Sequence, residues 1–168
     1  MTYAVINAGA ITEYPADLRA RLPNTSFPEN WPGGEIEGVE YVRVEPAPQP
    51  SHDPAAQNLT EATPALVEGV WTQQWGITDA SPTEIAERLA ARREAMTCTP
   101  RQARLALAYA GLLDSVEAWV AGQGAATRIE WEYASEVRRT VGLVTSAASE
   151  LGMTEDQIDG LFEYAVTL

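Results

Sequence analysis

Along the first eighty residues, apolar side chains come in short runs that alternate with polar ones and are cut by Gly and Pro. Tyr3-Ala4-Val5-Ile6 and Ile11-Thr12-Glu13-Tyr14 flank Asn7-Ala8-Gly9-Ala10, a pattern that predicts a β-hairpin closed by a Gly-containing turn. Pro15 ends it, and Asp17 to Leu22 is long enough for one or two helical turns. Residues 23–34 read as a loop rich in Pro, Gly and Asn, with Phe27 and Trp31 inside it. Glu40-Tyr41-Val42-Arg43-Val44 alternates like a strand, and Pro46-Ala47-Pro48-Gln49-Pro50 favours an extended, polyproline-like path. A second hairpin is predicted about Glu68-Gly69, pairing Ala65–Val67 with Val70–Trp75.

Beyond Ser81 the period changes. Ser81-Pro82-Thr83-Glu84, Thr99-Pro100-Arg101-Gln102 and Thr154-Glu155-Asp156-Gln157 each carry a hydroxyl three residues before Glu or Gln, the signature of a helix N-terminus. Two of them place Pro at the first helical position. Ile85, Leu89 and Met96 form one stripe, Leu105, Ala108 and Leu112 a second, and Ile158, Leu161, Phe162 and Ala165 a third. Val116, Trp119 and Val120 predict a short helix, Ile129, Tyr133 and Val137 another, and Val141 to Leu151 one more.

The expected fold class is therefore α+β, with N-terminal β-hairpins and extended loops followed by a small C-terminal helical bundle. Ten of the 11 prolines lie at or before Pro82, while Ala, Leu, Glu and Arg dominate afterwards. The expected organisation is a Pro-rich docking region over 1–80, a connecting helix over 81–98, and a helical bundle domain over 99–168.

Charge narrows the function classes. The chain carries 24 acids against 11 bases, a net charge of -13, with both halves acidic. Nucleic-acid binders draw affinity from cations on phosphates, and anionic lipid repels such a surface, so neither partner is expected. Every base is Arg. Without Lys there is no amine nucleophile for a Schiff base and no P-loop lysine. The stretch Met1–Asn7 lacks a basic segment and a long apolar core, so no signal peptide is expected. No apolar run approaches the roughly 20 residues that span a bilayer, so a soluble product made in the cytoplasm is expected.

Candidate chemistry is sparse. His52 is the one histidine and lies in Pro50-Ser51-His52-Asp53-Pro54, where no regular element would hold its geometry; it reads as a solvated loop residue. Cys98 is the one cysteine and reads as a small, partly buried side chain. Glu35, Glu37 and Glu40 cluster, but Glu130 and Glu132 point about 200° apart on a helix and cannot share a substrate atom. Arg128 and Glu132 suit an ordinary surface pair. Asn24-Thr25-Ser26 and Asn58-Leu59-Thr60 match glycosylation acceptors, which mean little without a secretory signal. No catalytic residue, metal ligand or cofactor is expected. The aromatic residues suit either a small core or the centre of an interface. Phe27 and Trp31 in their loop, Trp71 and Trp75 on one strand face, Tyr14 beside Pro15, and Trp131 opposite the Ile129/Tyr133/Val137 stripe are the interaction candidates.

An ordered series of short motifs resembles tail-fibre- and baseplate-associated proteins of bacteriophages. It runs from Glu13-Tyr14-Pro15 and Leu18-Arg19 through Pro23-Asn24-Thr25-Ser26-Phe27-Pro28, His52-Asp53-Pro54 and Gln57-Asn58-Leu59 to Val67–Trp75 and Ala80–Arg88. The second half, with Thr99–Leu105, Leu112-Leu113-Asp114 and Ile129–Ala134, resembles helical segments at the ends of phage tail proteins. Trp31-Pro32-Gly33-Gly34-Glu35 departs from the pattern, being shorter and richer in Gly. The resemblance implies a non-enzymatic structural role in the virion tail, assembled in the host cytoplasm. Its partners would be other tail, baseplate or fibre proteins, with three or six copies in a ring. An assembly chaperone that leaves the particle is the alternative, and a carboxylate-based glycan hydrolase a further one.

Overall fold

The computed structural model describes residues 2–168. The architecture is α+β, as the pattern predicts, and the chain divides into two compact units between Ser81 and Pro82.

In the first unit, strands β1 (Thr2–Asn7), β2 (Ala10–Glu13), β3 (Gly33–Ile36) and β4 (Val39–Val44) form an antiparallel sheet in the order β2-β1-β4-β3. β5 (Gln57–Val67) and β6 (Val70–Asp79) form a separate antiparallel hairpin. Each of the three hairpins closes through two residues that both have positive φ: Ala8-Gly9, Glu37-Gly38 and Glu68-Gly69. That is the twist-matched turn that joins neighbouring strands with the fewest residues. The strand over Gly33–Ile36 falls across the end of a region expected as a loop. Its two glycines carry no β signal, and the Glu37-Gly38 turn is what folds it back on β4. Gly33 is required: at φ 100 it lies against β4, where a Cβ would collide with the Tyr41 carbonyl. The β5–β6 hairpin extends well beyond the 65–75 expected, and its register shifts between Ala62 and Ala65, where Pro64 has no N–H for the ladder.

Tyr3, Val5 and Tyr41 bury one face of the four-stranded sheet under Leu18 and Leu22. Leu18 opens the single turn α1 (Leu18–Arg21) and Leu22 follows as its C-cap, while the Asp17 carboxylate caps the start by accepting from the amides of Arg19 and Ala20 at 3.0 Å.

The second unit comprises α2 (Pro82–Ala95), β7 (Thr97–Cys98), α3 (Pro100–Tyr109), α4 (Leu113–Ala121), α5 (Ala125–Tyr133), β8 (Val137–Arg138), α6 (Gly142–Glu150) and α7 (Glu155–Ala165). Both Thr99 and Thr154 make the reciprocal capping box their sequences predict, with Gln102 and Gln157. The core gathers Cys98, Ala106, Ala148, Ile158, Phe162 and Ala165.

Three stripes differ from expectation. On α3 it is Ala106 that is buried, while Ala108 is exposed. The small side chains let α3 approach α7 closely, which a hydrophobicity pattern weighted to Leu does not register. On α5, Ile129 and Tyr133 are 58% and 71% exposed, Trp131 turns inward, and Val137 belongs to β8. The 81–98 segment forms α2 and β7 as part of the second unit, and α2 buries none of its residues. Charge secures α2 instead: Arg92 pairs with Glu163, and Arg93 reaches Asp159 at 2.8 Å and Glu155 at 3.1 Å on α7.

Candidate docking surface

The first unit builds its aromatic centre on Trp31. Its ring lies 4.6 Å from Phe27, 5.4 Å from Tyr3 and 6.2 Å from Tyr41, all tilted. Tyr3 Oη donates to the Trp31 carbonyl at 2.8 Å, fixing the loop on the sheet. Phe27 and Trp31 are thus the half-buried lid of the first unit's own core.

Tyr14 and Trp75 join the β5–β6 hairpin to the rest of that unit. Tyr14, followed by a cis bond to Pro15, donates its hydroxyl to Glu61 on β5. Burial first, and the Glu61 carboxylate second, push its pKa up to about 12. Glu61 also accepts from Gln73 Nε2 at 2.6 Å. Gln73 Oε1 accepts from the Ala47 amide at 3.2 Å, and Trp75 Nε1 donates to the Ala47 carbonyl at 3.0 Å. Residues 73 and 75 are two apart on β6, so one strand face grips both polar groups of a residue between two prolines. Glu45 completes the seam, donating its amide to the Trp71 carbonyl and accepting the Gln73 amide, each at 2.9 Å. Tyr14, Trp71 and Trp75 are therefore half-buried at this seam.

Past the seam, residues 65–70 are all exposed. Leu66 is 58% exposed, and Val67 and Val70 are each 47% exposed. Register places Val67 opposite Val70 and Leu66 opposite Trp71, so the two pairs occupy opposite faces of the hairpin. A hairpin with one wet face would alternate; this tip is apolar on both. In the sequence these residues mark only strands. The signal that marks them is the apolar run Ala65-Leu66-Val67 directly before a two-residue turn, followed at once by Val70-Trp71.

Trp131 lies in the second unit under a cation. The Arg104 guanidinium is 4.7 Å from the centre of its ring and donates to the Trp131 carbonyl at 2.6 Å.

Other candidate residues are scattered. His52 lies in neither a strand nor a helix. Cys98 is buried in the second core, and burial pushes its thiol pKa up. Glu35 and Glu40 face each other across β3 and β4, but both are exposed and line neither principal cavity. Among the described residues, no group of three or more His, Cys, Asp or Glu is placed to hold a metal ion, and no helix is long and apolar enough to cross a membrane.

Comparison with protein-family models, with curated proteins and with solved structures finds no match to this chain.

Proposed function

We propose that this chain is a non-enzymatic docking component of a bacteriophage tail, seated on tail, baseplate or fibre subunits through the tip of its β5–β6 hairpin. The observation that carries the docking role is the tip itself: Leu66, Val67 and Val70 are exposed on both faces of a hairpin whose neighbouring residues are tied to the segment that follows β4. Water-facing strands rarely carry apolar side chains on both sides, and bare apolar side chains gathered at one hairpin end suit an interaction surface. A rigid base with an apolar end suits insertion between the walls of a partner. The tail setting rests on the ordered motif series from Glu13-Tyr14-Pro15 to Ala80–Arg88 and on the second-half segments that resemble tail proteins. The net charge of -13 favours a protein partner over nucleic acid or anionic lipid.

Purified particles of the encoding phage test the reading by quantitative mass spectrometry. The chain is expected at a fixed copy number, in multiples of three. The variant Leu66→Ser/Val67→Thr/Val70→Thr is expected to fold normally yet be missing from particles. Absence of the wild-type chain from particles, with recovery on unassembled fibres, would replace this reading with an assembly chaperone.

A further inference from the structure

The second unit carries a half-open apolar pocket. An apolar cavity of about 250 Å³ lies among α3, α4, α5, α6, α7 and the β7–β8 pair, bordered by the small side chains Ala106, Ala147, Ala148 and Ala165. Protein interiors ordinarily hold few voids larger than a water molecule. Water is a poor tenant for an apolar space, because it needs two to four polar partners there. Closed apolar cavities of roughly 150 Å³ accept benzene, and this half-open one of about 250 Å³ has room for a chain of roughly ten carbons.

Arg104 gives this space a polar end. Its side chain is half-buried in the wall, with the guanidinium over Trp131 and one hydrogen bond to the Trp131 carbonyl. A guanidinium has five N–H donors, and among the described residues no carboxylate stands within ion-pair distance of this one. The contrast with Arg93 and Arg139, each held by Asp159 and Glu155, is sharp in a chain with more than twice as many acids as bases. Of the acids at the rim, Glu136 is engaged by Arg138, and Glu130 is exposed. Trp131 holds the Arg104 plane in place, which suits the two-pronged hydrogen bonding that arginine makes to a carboxylate.

We propose that the cavity of the second unit binds a small amphipathic carboxylate, with its alkyl chain among the alanines of α3, α6 and α7 and its head group on Arg104. The site is independent of the hairpin tip, so it stands or falls apart from the docking role.

Calorimetric titration of the full chain with decanoate, decanol and decyltrimethylammonium, each below its aggregation threshold, tests it. Decanoate is expected to bind one molecule per chain, decanol about tenfold more weakly, and the cation more weakly still. Arg104→Gln is expected to abolish the preference for decanoate over decanol. Ala148→Leu, which fills the space, is expected to remove binding of both. Cys98 lies in the wall and is the one cysteine, so saturating decanoate is expected to slow its alkylation by a small neutral reagent. The alkylation measurement and Arg104→Gln decide the matter even if the filled variant does not fold. Equal affinity for decanoate and decanol, no saturable binding, an unchanged preference in Arg104→Gln, or alkylation indifferent to decanoate would each overturn the proposal.

Discussion

Arg139 donates Nε to Asp159 Oδ1 at 2.7 Å, and both residues are buried, at 2% and 7% exposure. The second carboxylate oxygen takes Arg93 Nε at 2.8 Å, and Glu155 accepts from the Arg139 guanidinium at 2.7 Å. One acid on α7 thus ties α2 to the turn after β8. Breaking a buried pair from one side leaves the other charge without its partner, which costs far more than the intact pair contributes.

Asp159→Asn is therefore expected to destabilise the second unit by about 3 kcal/mol. Urea unfolding followed by fluorescence of Trp119 and Trp131 measures it. Glu163→Gln, which breaks the exposed pair with Arg92, is expected to change little, because solvent screens such pairs. Equal losses in the two variants would mean that burial of the network counts for nothing.

The same network sets an acid limit. Burial alone would raise the Asp159 pKa, but hydrogen bonds from Arg93 and Arg139 outweigh it and hold the carboxyl below its ordinary range. The folded state therefore releases this proton more readily than the unfolded chain. Its contribution is complete above the unfolded value of about 3.9 and is lost as pH falls through the lower folded one. The stability gap between wild type and Asp159→Asn is expected to be constant from pH 7 to about pH 5 and to shrink below pH 4. A gap as wide at pH 2 as at pH 7 would contradict this.

Tyr14 titrates in the opposite sense. Its folded pKa of about 12 lies above the unfolded value of about 10, so its contribution is intact below pH 10 and fades as pH climbs towards 12. Ultraviolet titration is expected to show a late phenolate step near pH 12 that disappears in Tyr14→Phe. A Tyr14→Phe titration identical to wild type would count against the Glu61 contact.

Two turn and edge positions should respond in opposite directions. Gly33→Ala places a Cβ against the Tyr41 carbonyl at φ 100 and is expected to destabilise the first unit by roughly 3 kcal/mol. Glu37 sits at φ 52 beside Gly38, where Asn is better tolerated, so Glu37→Asn is expected to stabilise by about 0.5 kcal/mol. Thermal unfolding of both variants, with Trp31 fluorescence as the reporter, checks the signs.

Local chemistry was the legible part of this fold. Thr99 and Thr154 cap their helices because each needs only a glutamine three residues on. The Glu68-Gly69 turn is likewise complete in two residues. What escaped depends on remote partners. The pairing of Thr97 and Cys98 with Arg138 and Val137 joins segments some forty positions apart, and neither two-residue strand has a pattern of its own. Arg139 looks like any surface arginine until α7 brings Asp159 to it. On α5 the apolar period pointed to Ile129 and Tyr133, yet Arg104 on α3 and the neighbouring helices turn Trp131 inward. The β6 strand beside that hairpin turn is a similar case. Trp75 reaches the seam with its indole N–H and Trp71 with its carbonyl, and the smaller aliphatic residues beside them are left bare.

Because the boundary at Ser81 and Pro82 separates two contiguous stretches, each with its own hydrophobic centre, a genetic crossover at those codons would transfer an intact half. Descendants could then inherit one moiety from each of two parents with neither hydrophobic centre disturbed.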